Sequence, residues 1–143
     1  MPLPTAFRRP ALILAACCAL AAPAAAQTHY IADPSAEQLA AADVLLVDIR
    51  QPQEWQQTGV LPQALLIAHD GDPAQFLSEL APHLDGRPVA LICRTGNRTA
   101  QAAAALAPAL DVPVIDISGG MLRLISEGTR TAAPTPAQGC TVC

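Results

Sequence analysis

The sequence contains no lysine, so all eight of its basic side chains are arginines. Twelve carboxylates stand against them and give a formal charge of −4. So acidic a chain is a poor candidate for binding nucleic acid or an anionic membrane surface, which both draw on a surplus of positive charge. A long membrane span is missing too. The most apolar stretch lies in "MPLPTAFRRPALILAACCALAAPAAA" (1–26) and is too short and too rich in alanine to cross a bilayer. There is no internal repeat.

Segment 1–26 instead has the layout of an export signal. The basic pair Arg8 and Arg9 comes first, then the apolar run, then small residues ending in Ala24, Ala25 and Ala26. This predicts a signal peptide cleaved after Ala26 and a periplasmic or secreted protein. A second reading stays open. Leu14-Ala15-Ala16-Cys17 is similar to a lipobox, which would anchor the protein to a membrane through a lipidated Cys17. Cleavage after Ala26 leaves six arginines against twelve carboxylates, a formal charge of −6. It also leaves three cysteines: Cys93, Cys140 and Cys143. An odd number in an oxidising compartment leaves one unpaired. The close pair Cys140 and Cys143 can satisfy itself, which singles out Cys93.

The mature chain alternates strand and helix signals. "VLLVDI" (44–49), "ALLIAH" (64–69), "PVALIC" (88–93) and "VPVIDI" (112–117) are unbroken apolar runs, as in strands buried on both faces. "YIA" near residue 30 offers a fifth, edge strand. Helical patterns occupy 37–43, 72–84, 97–110 and 119–128, the second opened by Asp72 as N-cap with Pro73 behind it. The stretch around Pro52, Gly59 and Pro62 reads as turns. This order predicts an α/β fold, a central parallel sheet of four to five strands covered by helices on both faces. Residues 27–130 form the domain. Residues 131–143, "TAAPTPAQGCTVC", have no apolar period and read as a flexible tail.

In parallel sheets ligand sites gather at the carboxyl ends of strands. Cys93 ends one strand, and Asp48 and His69 lie near the ends of two others. After Cys93 come Arg94, Thr95, Gly96, Asn97, Arg98 and Thr99. Gly96 permits a tight curl, and a helix starts near Asn97 or Arg98. The loop amides and first helical turn then face the sulfur and favour its thiolate form. A buried cysteine is common as simple packing. Packing alone gives no reason for a glycine, an asparagine and two of the few arginines directly behind it.

"CRTGNRT" (93–99) resembles the active loop of rhodanese-like sulfurtransferases, with its Cys-x-x-x-x-Arg-Thr pattern. "LLVDIRQPQEWQQTGVLPQAL" resembles a second signature of that family through Asp48, Arg50, Glu54, Trp55, Gly59, Leu61, Pro62 and Ala64. Gly119 and Gly120 resemble a third. Gln63 and Val60 depart from the usual glycine and histidine, and the last helix lacks the usual tryptophan. The resemblance spans roughly 28–130 and implies a rhodanese-like fold and a sulfur relay with no cofactor and no metal. Cys93 would take sulfane sulfur from thiosulfate or a similar small anionic donor. It would pass the sulfur to cyanide, a cellular thiol or a protein thiol. Arg94 and Arg98 would hold the donor, Thr95 and Thr99 would donate hydrogen bonds or cap the helix, and Asp48, Arg50 and Glu54 would support the loop. Trp55 reads as a core anchor.

Two other classes compete. Phosphatases and arsenate reductases of the Cys-x5-Arg type place five residues between cysteine and arginine; here there are four. A redox or sulfur-relay module would rest on Cys140 and Cys143, which are a candidate redox pair. Such a pair can form a disulfide, exchange with a partner thiol, or supply two metal ligands, too few for a zinc site alone.

Overall fold

The computed structural model describes residues 29–143. The leader expected over 1–26, and Cys17 with it, lies outside the described residues. Five strands form one sheet: β1 (His29–Ala32), β2 (Leu45–Asp48), β3 (Leu65–Leu66), β4 (Val89–Ile92) and β5 (Val114–Ile117). Their order across the sheet is β1-β5-β4-β2-β3, and every pairing is parallel. Four helices connect them, α1 (Ala36–Ala41), α2 (Pro52–Thr58), α3 (Pro73–Leu80) and α4 (Asn97–Leu106), and α5 (Gly120–Ser126) follows β5. Among the described residues, no helix is long and apolar enough to cross a membrane.

Neighbouring residues of a strand point to opposite faces, and the central strands are apolar on both. In β4, Val89 and Leu91 join one core with Phe76 and Leu80 of α3 and with Ala103 and Leu106 of α4. Ala90 and Ile92 join the other, with Leu39 of α1, Trp55 of α2, and Met121 and Leu124 of α5. Each large aliphatic side chain so buried contributes about 1.5–3 kcal/mol. The chain leaves β2 toward one face through α2 and leaves β4 toward the other through α4. The adjacent carboxyl ends of β2 and β4 therefore frame a crevice, the usual place for a site in a sheet of this kind.

Three expectations need correction. The stretch read as turns contains α2. Pro52 opens it, and the Glu54 carboxylate accepts the Gln51 N–H at 3.0 Å, forming a capping box. The apolar run 64–69 yields only the two-residue strand β3. Its later residues stay hydrogen-bonded beside the end of β2, with Ile67 N–H donating to the Asp48 carbonyl at 3.3 Å and His69 N–H to the Ile49 carbonyl at 3.2 Å.

The third concerns the tail, which is a docked strap. Val60 and Ala132 exchange two backbone hydrogen bonds of 2.9 Å, and Thr131 Oγ1 donates to the Thr58 carbonyl at 2.8 Å. Gln138 Nε2 lies 3.2, 3.3 and 3.2 Å from the carbonyl oxygens of Leu61, Pro62 and Ala64 and donates into that turn. Cys140 is wholly buried in the second core, and Cys140 and Cys143 are joined as a disulfide. Chain polarity hides this docking from a reading of apolar period, because backbone carbonyls and one glutamine do most of the holding.

Candidate active site

β4 delivers Cys93 to the crevice, and Gly96 turns the chain. Its φ of 96° lies in the left-handed region, and a side chain there would also crowd Gly119 N, 3.1 Å from an added Cβ. With that turn made, the Gly96 N–H donates to Cys93 Sγ at 3.1 Å. Thr99, buried in the first turn of α4, donates from Oγ1 to the Gly96 carbonyl at 2.8 Å, and its oxygen lies 3.7 Å from the sulfur. Thr99 thus fixes the curl as well as the helix start. Cys93 is only 1% exposed, so its sulfur is the floor of the loop. Arg94, Thr95 and Asn97 are exposed around it.

The pair Gly119 and Gly120 orients this loop from behind. Met121 N–H donates to the Cys93 carbonyl at 2.8 Å, and Leu122 N–H to the Arg94 carbonyl at 3.0 Å. In a planar trans peptide the N–H points opposite to the C=O. The amides of Arg94 and Thr95 are therefore turned away from α5. The approach that makes this possible leaves no room for a side chain at Gly120, where an added Cβ would collide with the Cys93 carbonyl oxygen and lie 2.7 Å from the Arg94 carbonyl carbon.

The arginines divide their tasks. Arg98 gives both terminal nitrogens to Glu54, at 2.8 and 2.7 Å. It clamps the loop to α2. Arg94 is exposed and, among the described residues, has no acidic partner. It lines a cavity of about 30 Å³ with Arg50, Glu54, Gln57, Thr58, Met121 and Leu122. Of these, Gln57, Thr58, Met121 and Leu122 escaped the sequence reading, and no spacing or periodicity points to them as lining a site.

Below the loop lies a buried ion pair. Arg50 and Asp48 are 1% and 0% exposed. Arg50 Nε lies 2.9 and 3.0 Å from the two Asp48 oxygens, and Nη2 donates at 2.6 Å to one of them. Nη2 also reaches the Gly59 carbonyl at 2.8 Å, and Nη1 reaches Thr58 Oγ1 at 2.6 Å and the Glu54 carbonyl at 3.4 Å. All five N–H groups of the guanidinium thus have acceptors, the condition under which a buried charge is tolerated. His69 stays apart. Its ring meets Phe76 edge-on at 5.1 Å, and it makes no hydrogen bond to Cys93.

Partial burial alone would raise the pKa of Glu54. The Arg98 hydrogen bonds, the Gln51 N–H and the Arg98 and Arg50 charges together outweigh that and hold it below the ordinary 4.5. Arg98 is raised, first by its hydrogen bonds to Glu54 against some desolvation, with the charges of Glu54, Cys93 and Asp48 adding to it. A carboxylate depressed on folding stabilises the fold above its unfolded pKa and loses that stabilisation as pH falls through its folded value. The clamp should therefore hold above pH 4.5 and be lost below it. Thermal unfolding followed across this range should show a slope that is shallower in Glu54→Gln. Identical slopes in the two proteins would show that the pair contributes nothing to the pH dependence.

Residues 32–127 match the rhodanese-like domain family. A protein of Allochromatium vinosum described as a sulfurtransferase is 37% identical over 92 residues, which cover 64% of this chain and 81% of that protein. The crystal structure of a rhodanese-related protein from Thermoplasma volcanium superposes with a TM-score of 0.53 at 25% identity, covering 71% of this chain and 98% of that one. A thiosulfate sulfurtransferase from Pseudomonas aeruginosa shares the fold, with a TM-score of 0.56 at 22% identity over 72% of this chain and 20% of that one.

Proposed function

The chain belongs to the rhodanese-like domain family, and from that premise we propose that it is a sulfurtransferase that carries sulfane sulfur on Cys93. The observation that carries the reading is a single thiol at the floor of a curled loop, with the Gly96 N–H aimed at its sulfur from 3.1 Å. A hydrogen-bond donor fixed at that point stabilises negative charge there before reaction and again in the persulfide. Thiosulfate, or a similar anion ending in sulfur, is the donor. Arg94 supplies the exposed positive charge that draws it in against the acidic background of the chain.

The reaction divides into two displacements. In the first, the Cys93 thiolate attacks the outer sulfur of thiosulfate. A sulfur–sulfur bond forms to Cys93, the bond within thiosulfate breaks, and sulfite leaves with the bonding pair. In the second, a nucleophilic acceptor, cyanide or a thiolate, attacks the outer sulfur of the persulfide. It departs as thiocyanate or a new persulfide, and Cys93 returns as thiolate. The deep seat of Cys93 selects slender reagents that present a terminal sulfur or a terminal nucleophilic atom. The layout of residues 8–26 supports export, and with it a reaction in the periplasm or outside the cell.

Intact-mass measurement after thiosulfate treatment tests the proposal. We expect the protein to gain one sulfur atom, mapped to Cys93 and lost again on addition of cyanide. An unchanged mass, or a sulfur mapped elsewhere, would overturn it.

A further inference from the structure

The Cys140–Cys143 bridge joins residues only three apart. A disulfide stabilises a fold chiefly by restraining the unfolded chain, and the effect grows with the loop it closes. A loop this small restrains little. The strap is also held without the bridge, by Gln138, by the Val60–Ala132 pairing and by the burial of Cys140. The bridge is therefore a poor candidate for a structural staple.

Its two ends differ sharply. Cys140 is 0% exposed and packs in the core with Leu61, Ala64 and Leu66. Cys143 is exposed at the end of the chain. Gln56 Nε2 lies 4.0 Å from its sulfur and donates to the Val142 carbonyl at 3.2 Å. Thiol–disulfide exchange requires a thiolate to reach one sulfur while the other departs. Here the Cys143 end is open to solvent and the Cys140 end is not.

We propose that the terminal bridge is a second thiol-chemistry site of this protein, an exchange site at which an external dithiol attacks Cys143. One thiolate of the dithiol bonds to the Cys143 sulfur. The bridge breaks, and Cys140 leaves with the bonding pair and takes a proton from solvent. The second thiol of the donor, as thiolate, then attacks the donor's own sulfur in the mixed disulfide. Cys143 is released and protonated, and the donor departs as a disulfide. The protein has gained two electrons and two protons, and the dithiol has lost them. The released Cys140 thiolate stays beside the mixed disulfide and can re-attack it, so the first step is reversible. The exchange uses no atom of Cys93 and is independent of the sulfurtransferase reading.

The test uses the full chain carrying Cys17→Ser, Cys18→Ser and Cys93→Ser, so that any thiol chemistry seen belongs to the bridge. One sample is exposed to glutathione and another to dithiothreitol, each quenched with acid and mapped by peptide mass. Glutathione should be found on Cys143 in at least about tenfold excess over Cys140. Dithiothreitol should yield two free thiols while the circular dichroism of the folded protein is retained. Adducts chiefly on Cys140, or reduction that proceeds only together with unfolding, would overturn the proposal. Single substitutions give an independent check, each first confirmed to be folded. Cys143 in Cys140→Ala should be alkylated on the order of tenfold faster than Cys140 in Cys143→Ala. Equal rates would overturn it as well.

Discussion

Replacing Cys93 by serine should reduce thiosulfate-to-cyanide transfer by at least about a thousandfold, down to the uncatalysed background. The change is small in volume, and the Gly96 N–H retains an oxygen to face, so the fold should survive with its melting temperature shifted by no more than roughly 5 °C. What disappears is the nucleophile. A hydroxyl is not ionised near neutral pH in this loop, where no base is bonded to residue 93, and the sulfane sulfur has no thiolate to receive it. Arg94 and the clamped loop remain, so a donor can still enter without reacting. Rate and melting temperature must be measured on the same preparation. A variant retaining a tenth or more of the parent rate would remove Cys93 from the proposed mechanism.

Arg50→Ala should be the most damaging single substitution for stability. Asp48 would be left wholly buried with its charge unpaired, and the Gly59 carbonyl and Thr58 hydroxyl would each lose a donor. Breaking one side of a buried pair costs about 3–5 kcal/mol. In a domain of this size that lowers the melting temperature by roughly 15–30 °C. Damage should spread to the site, because α2 starts on this pair and carries Glu54, which clamps Arg98. A double replacement, Asp48→Leu with Arg50→Met, removes both charges and should recover much of the loss. If Arg50→Ala melts within roughly 5 °C of the parent protein, the pair is not the keystone described here.

The parts of this structure that sequence reveals are those in which local and global demands agree. β4 and its loop are legible because an apolar run buried on both faces ends at the residue that does the chemistry, and Gly96 marks the turn. The sequence marks Asp48, Arg50 and Glu54 as supports of the loop but not their partners, and Arg98 takes Glu54. The structure gives Asp48 to Arg50. α2 was hidden because it is only seven residues long and buries a single side chain, Trp55. No 3.6-residue period can be read from one point. The strap was hidden for a different reason. It is secured by the Gln138 amide, by backbone pairing at Val60 and by one buried sulfur, and none of these leaves a repeating mark on composition.

The strap also settles the fate of a sheet border. β3 is the outermost strand on its side, and such a strand invites another polypeptide to add itself. Here Gln138 already occupies the carbonyls of Leu61, Pro62 and Ala64 leading into that strand. The opposite border is β1, where Tyr30 and Ile31 stand 51% and 72% exposed. Should the purified protein ever polymerise or clump on storage, self-association would begin along β1, and charged substitutions at those two positions are where a formulator should start.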